Sequence, residues 1–180
     1  MSLEEICALP VGEIATPIAV LFLFVPSAIL EEAFEIIEAW GFTYKAAAVW
    51  EKTSGFGEGH YFRQQHEHLL LATRGDMPPP PPRLRPASII KAPRREHSRK
   101  PDEAYEIIEQ MYPTLPKIEL FARRTRPGWA AWGNESERPH ESMATAQRGE
   151  LKNGNGCDRQ ESEGSWVGQA AQCRRYCPHM

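Results

Sequence analysis

A lysine just before a helix start and an arginine just after a buried strand are the residue types that grip a ligand carrying a carboxylate and hydroxyls. Lys100 precedes Pro101-Asp102-Glu103, and Arg123 ends the run Lys117-Ile-Glu-Leu-Phe-Ala-Arg123; the pair Gly133-Asn134 closes the next apolar segment. In an open α/β sheet, ligands sit beyond the carboxyl ends of the strands, so Lys100 and Arg123 are placed to meet one. Spacing alone leaves the ligand open, and a solvated basic loop with a strand-end ion pair is the competing reading. Gly55-Phe-Gly-Glu-Gly59 resembles a phosphate loop. A phosphate loop opens a helix, whereas residues 61–73 read as strand, which favours an ordinary flexible loop. His66 and His68 share one strand face with Glu67 on the other. A metal needs a third ligand and supporting groups, so no metal is assigned there. Cys157, Cys173, Cys177 and His179 have irregular spacing and no apolar surroundings, which argues against zinc. The chain has no Gly-x-Ser-x-Gly, Walker or His-Glu-x-x-His motif.

The elements that must position these residues follow from periodicity. Residues 18–25, Ile-Ala-Val-Leu-Phe-Leu-Phe-Val, are apolar on both faces, as in a central strand covered on both sides. Ser27 reads as the N-cap of a helix with Leu30, Ala33, Phe34, Ile37 and Trp40 on one stripe and Gly41 just past its end. Residues 44–50 and 66–73 read as strands, residues 88–91 and 129–132 as short ones, and 117–121 as a buried one. The five prolines at 78–82 form an extended connector. Pro101 opens a second helix over about 102–112, with Ala104, Tyr105, Ile108 and Met111 on one face, and Pro113 stops it. The alternation predicts an α/β domain with a largely parallel sheet. Residues 136–180 hold one Val and one Leu among many Gly, Ser, Glu, Gln and Arg, and the expectation is a disordered tail.

Composition bounds the class. The chain has 180 residues, 41% hydrophobic and 25% charged, with a net charge of −3, one domain's worth of ordinary globular sequence. The average hides an asymmetry. Residues 1–40 carry seven acids and no Lys or Arg, while residues 83–100 carry seven bases against Glu96 alone. A basic segment of this kind points to a phosphate-bearing partner or to a solvated loop. Four cysteines do not make a disulfide framework, the apolar run at 18–25 is too short for a membrane helix, and the start lacks a basic signal region. The expectation is a soluble, cytoplasmic protein without a membrane partner.

Several motifs in one order carry a resemblance. They are Pro93-Arg-Arg-Glu-His-Ser-Arg-Lys-Pro-Asp-Glu103, Ile107-Ile-Glu109, Lys117-Ile-Glu-Leu-Phe-Ala-Arg123 and Pro127-Gly-Trp129 with Trp132-Gly-Asn134. Upstream stand Phe24-Val-Pro-Ser27, Ala39-Trp-Gly-Phe42, Val49-Trp-Glu-Lys52 and His66-Glu67. Together they resemble the MT-A type N6-adenine methyltransferases, which include the catalytic subunit of the mRNA adenosine methylation complex and phage and bacterial DNA adenine methyltransferases. The resemblance runs from about Ser2 to Glu135. It implies a Rossmann-like fold that binds S-adenosylmethionine and methylates the N6 amine of adenine in DNA or RNA. It further implies that Lys100 meets the cofactor's methionine carboxylate, Arg123 its ribose, and Asn134 with Glu135 its adenine end. Glu67, Arg95 and Ser98 match the substrate side.

The family's catalytic motif is Asp-Pro-Pro followed by an aromatic, whose acceptors favour the pyramidal, nucleophilic form of the N6 amine. These 180 residues contain no such tetrapeptide; Asp76-Met-Pro-Pro79 opens the proline connector instead. No catalytic residue is therefore assigned. The expectation is a domain over residues 1–135, incomplete at its N-terminus, followed by the tail at 136–180. The function expected is either that of an adenine methyltransferase fold completed by another chain or a remnant of one. The alternative is a non-catalytic module binding nucleic acid or a partner methyltransferase.

Overall fold

The computed structural model describes residues 1–133 other than 56, 58 and 96–98, together with the backbone of 166–170. Its elements are α1 (Leu3–Cys7), α2 (Val11–Ile14), β1 (Ala19–Pro26), α3 (Leu30–Ala39), β2 (Thr43–Lys52), β3 (His66–Arg74), β4 (Ile89–Ala92), α4 (Asp102–Met111), β5 (Lys117–Leu120), β6 (Trp129–Trp132) and β7 (Trp166–Ala170). The strands form one sheet in the order β4-β2-β3-β1-β7-β5-β6.

β1 is buried along seven of its eight residues because it is covered on both faces. Side chains alternate across a strand, so Ala19, Leu21, Leu23 and Val25 enter one core with α1, α2 and α3. Val20, Phe22 and Phe24 enter the other, with Trp50, Ile90 and the buried face of α4. Three layers result. α3 buries Ala33, Ile36 and Ile37, and α4 buries Ala104, Tyr105 and Ile108. Each large apolar side chain so buried contributes about 1.5–3 kcal/mol.

The sheet is mixed, where the alternating pattern predicts a largely parallel one. β3 runs antiparallel to both of its neighbours, β1 and β2. The other contacts, β2–β4, β1–β7, β7–β5 and β5–β6, are all parallel. Six strands therefore share one direction and β3 opposes them. Strand direction depends on the connections, which period-2 patterning does not encode. One sheet edge consequently gathers the carboxyl ends of β1, β2, β4, β5, β6 and β7 and the first residues of β3.

Two local expectations change. Ser27 does not cap α3: residues 27–29 form a short 3-10 turn, and the cap position of α3 makes no side-chain hydrogen bond. The Ser27 hydroxyl lies instead 3.1 Å from His66 Nε2 and 3.2 Å from His68 Nε2. Side chain-to-side chain bonding across the sheet has won over the local cap. Secondly, the stretch 136–180 is not without structure throughout, since Trp166–Ala170 joins the sheet as β7 between β1 and β5. Backbone pairing of a central strand depends little on side-chain type, which composition does not report. The rest of that stretch, with Cys157, Cys173, Cys177 and His179, lies outside the described residues.

Candidate functional site

The edge that carries the strand ends holds a buried carboxylate between two ammonium groups. Glu67, the second residue of β3, lies opposite Pro26 of β1 and Trp50 of β2 and is 8% exposed. Lys52, two residues beyond Trp50, shares its strand face and reaches Glu67 Oε1 at 2.8 Å. Lys100, arriving from the loop before α4, hydrogen-bonds Glu67 Oε2. Aromatic rings floor the group. Lys100 Nζ stands 5.0 Å from the Phe24 ring centre and 6.0 Å from that of Trp50, and Lys52 Nζ stands 5.1 Å from Trp50. Trp50 is itself fixed by its indole N–H, which donates to the Ala92 carbonyl at 3.0 Å. Burial alone would raise the Glu67 pKa, but the Lys100 and Lys52 charges outweigh it and hold the carboxyl below its usual range.

A second cluster surrounds Asp102, the first residue of α4. Arg95 and Arg99 reach its Oδ2, at 2.5 and 3.2 Å, and Arg124 reaches Oδ1 at 2.9 Å, with Arg126 3.8 Å from the same oxygen. Arg126 also donates to Glu109 at 2.9 Å and stacks over the Tyr105 ring at 4.8 Å. Some burial resists ionisation of Asp102, but Arg95, Arg99 and Arg124 hold its pKa down. Beneath them the Tyr105 hydroxyl donates to Glu119 at 2.7 Å. Burial, then the Glu119 charge, pushes the phenol well above its ordinary pKa, and burial also raises Glu119.

The turn after β5 is shaped by backbone. Phe121 has φ 59°, a left-handed conformation that costs a bulky residue about 1–3 kcal/mol and clusters at functional sites. The kink turns Arg123 out to solvent. Ala122 N–H donates to the Trp132 carbonyl at 2.9 Å, and the next residue is Gly133, where a Cβ would collide with the Ala122 backbone. Phe121 and Trp132 meet edge to face at 5.4 Å. The ends of β5 and β6 are thus locked together where the chain leaves β5 toward Arg123.

Of the residues singled out by sequence, Lys100 and Glu67 are brought into direct contact, although one was expected on the cofactor side and the other on the substrate side. Arg95 stands on Asp102, two positions from Lys100. Arg123 sits across the sheet, with β1 and β7 between β3 and β5, three strand intervals or about 14 Å from Glu67. Ser98, Asn134 and Glu135 lie outside the described residues. Sequence reasoning passed over Lys52, Arg124, Arg126 and Asp102 as site residues. The even spacing of Trp50 and Lys52 was the available signal for the first. Among the described residues no group of three His, Cys, Asp or Glu can hold a metal, and no helix is long and apolar enough to cross a membrane.

A cavity of about 600 Å3 lies elsewhere. It lies between the first half of β2, the second half of β3 and the proline connector, lined by Ala46, Ala48, Leu71, Met77, Pro80 and Met111. Its walls are mostly apolar, with Lys45, Thr73, Arg85 and Ser88 among them, and it lies away from the strand ends, so the charged cluster around Glu67 is the better candidate for chemistry.

Comparison with known proteins identifies the family. The chain is 32% identical over 152 residues to the type II methyltransferase M.MunI of a Mycoplasma species, covering 84% of this chain and 64% of that protein. It is 33% identical over 144 residues to the N(6)-adenosine-methyltransferase MT-A70-like protein of Arabidopsis thaliana, covering 75% of this chain and 21% of that protein. It is 32% identical over 129 residues to the human N(6)-adenosine-methyltransferase catalytic subunit METTL3, covering 67% of this chain and 22% of that protein. The chain therefore spans somewhat under two thirds of the first relative and about a fifth of the others. The MT-A70 family model matches residues 1–135, the stretch that contains both charged clusters and the locked strand ends, and the chain belongs to the MT-A70 family.

Proposed function

We propose that this chain forms the cofactor-facing and base-facing half of an N6-adenine methyltransferase site that acts on DNA or RNA, on a Rossmann-like frame. The observation that supports it most is the Lys52–Glu67–Lys100 triad at the sheet edge where ligands of open α/β folds sit.

The residues fit S-adenosylmethionine. Lys100 already engages a carboxylate, with aromatic faces beneath its ammonium, and the cofactor offers a carboxylate of the same chemistry. When bound, the cofactor supplies an electrophilic methyl group on a sulfonium. Lys100 holds the amino-acid carboxylate, and Arg123 and Asn134 hold the sugar and base. Were Lys100 to hold the cofactor's carboxylate, Glu67 would keep Lys52 and would have one carboxylate oxygen available as an acceptor for an amine N–H. A buried acceptor aimed at the N6 amine opposes delocalisation of its lone pair, and one such preorganised group is worth about 3 kcal/mol.

The 180 residues hold no Asp-Pro-Pro-aromatic tetrapeptide, so the groups that would complete the site come from outside them, from the same polypeptide or from a second methyltransferase chain. The alternative is a non-catalytic nucleic-acid-binding partner; the arginines around Asp102 favour nucleic acid in either case. The test is calorimetric titration of the chain with S-adenosylhomocysteine, beside a methyl-transfer assay on adenine-containing DNA and RNA. Binding that Lys100→Ala removes, without turnover by the isolated chain, is the expected result. Affinity indifferent to Lys100 overturns the cofactor assignment, and Lys100-dependent turnover overturns the half-site assignment.

A further inference from the structure

We infer that the arginine cluster centred on Asp102 is a phosphate clamp that grips the backbone of the nucleic-acid strand carrying the target base. The inference rests on the function proposed above and assigns the surface by which the substrate is held.

Four guanidiniums, Arg95 and Arg99 from before α4 and Arg124 and Arg126 from after β5, converge on one carboxylate. Counting Glu109, which shares Arg126, and Glu119, whose carboxylate Arg124 and Arg126 also face, the group keeps one positive charge in excess. Each guanidinium carries five N–H donors in a rigid fork, whereas Asp102 has two oxygens to share among all four. Arg99 and Arg124 are the most exposed, at 43% and 46% of their side-chain surface. Arg126 is braced by Glu109 and the Tyr105 ring, and Tyr105 by Trp129 at 5.5 Å. A cluster already assembled against one carboxylate loses little entropy when it meets a second anion. Arginine forks match phosphate oxygens in two-point contacts, and phosphate contacts fix a strand's position without reading its sequence.

Position selects the role. Asp102 lies two residues beyond Lys100, so the clamp borders the Glu67 triad. An enzyme that works on a base must take it out of the stack, and the flanking phosphates then need a fixed hold beside the site. The fold also divides the basic stretch at 83–100. Arg83 follows the proline connector from the end of β3 and lies toward the opposite edge, before β4. Of its arginines, Arg95 and Arg99 join the clamp.

The experiment measures binding of the full chain to fluorescein-labelled oligothymidylate across a salt series. Thymidine excludes adenine recognition, so the reading is independent of methyl transfer and of Lys100. Each single-strand phosphate contact contributes about 0.7 to the slope of log affinity against log salt. Arg99→Gln with Arg124→Gln should flatten the slope by about 1.4, while Arg83→Gln leaves it unchanged. Asp102→Asn, which removes the competing anion, should tighten binding. An unchanged slope in the double variant, with an unaltered circular dichroism spectrum, overturns the clamp. So does polyglutamate displacing the oligonucleotide at equal or lower charge concentration, which would mark a site for acidic protein. A normal clamp slope with cofactor binding indifferent to Lys100 overturns the methyltransferase reading while leaving the phosphate contact in place.

Discussion

Lys52 and Lys100 share one carboxylate. They come from β2 and from the loop before α4, and Glu67 of β3 is the group that lets their ammoniums approach while largely buried. Removing one partner from such a group leaves uncompensated charge and commonly costs 3–5 kcal/mol. Glu67→Gln keeps the shape and one acceptor oxygen, so a loss of about 3 kcal/mol is expected, roughly a 10 °C fall in Tm for a domain of this size. Thermal unfolding followed by circular dichroism checks it. The double change Glu67→Gln with Lys52→Met should recover part of the loss, because the charge and its counter-charge then leave together.

Acid should unfold the domain. Glu67, Asp102 and Glu109 all have pKa values lowered in the folded state: burial opposes ionisation of the first two but basic neighbours outweigh it, and Glu109 is held down first by its hydrogen bond with Arg126. A lowered folded pKa gives stability that is present above the unfolded value and lost as pH falls through the folded one. The window therefore opens near the ordinary carboxylate values of 4.5 for Glu and 3.8 for Asp and extends below them. Glu119 has the opposite sign, since its raised folded pKa costs stability once pH exceeds it. Glu119→Gln should keep the Tyr105 hydrogen bond and raise Tm at neutral pH, with the gain vanishing in acid. A Tm series between neutral pH and pH 3 separates the two groups.

Gly133→Ala should damage the strand-end lock. Its Cβ would fall against the nitrogen and oxygen of Ala122, and the Ala122–Trp132 hydrogen bond would have to give way. Overpacking against backbone costs about 1–3 kcal/mol. Affinity for S-adenosylhomocysteine should fall with it, since Arg123, assigned to the cofactor, follows β5. Unchanged stability and unchanged affinity would show that the close approach does not shape the site.

Truncation after residue 135 should be destabilising. No backbone pair joins β1 to β5; β7 stands between them. Without it, five buried residues of β1, Ala19, Val20, Leu21, Phe22 and Leu23, lose their partners on one side, and unpaired buried backbone groups are costly. Hydrogen exchange should quicken first in β1 and β5, and the shortened chain should aggregate through its open edge. A truncated chain with the Tm of the full one would contradict the role of β7.

Much of this architecture is legible in the sequence. The double-sided run ending at Val25, the stripe from Leu30 to Trp40 and the Pro101-bounded helix carry strong periodicity, and each emerges within a residue or two. The short α1 and α2 do not, because five- and four-residue helices offer too few turns for a stripe; the Ser2–Glu5 capping box was the one signal. Ser27 has an N-cap's chemistry, yet His66 and His68 lie some forty residues away in sequence and only the fold brings them to it. Lys100 and Arg95 were singled out by resemblance, and the fold sets them on Glu67 and Asp102. Lys52, Arg124 and Arg126 were not, because their partners are defined by strand register and by the β5–β6 turn. β7 left no trace, since Gly168 and Gln169 in a polar stretch look nothing like the middle of a sheet.

The position of β7 also fixes an order of events during synthesis. It leaves the ribosome after every other described strand, yet it fills a central place. The backbone pairs that join β1 to the β5–β6 side of the sheet are therefore made only by a segment that follows both in the sequence. Were that segment supplied by a second copy of the chain, every backbone pair of the monomer would be kept in an intertwined dimer.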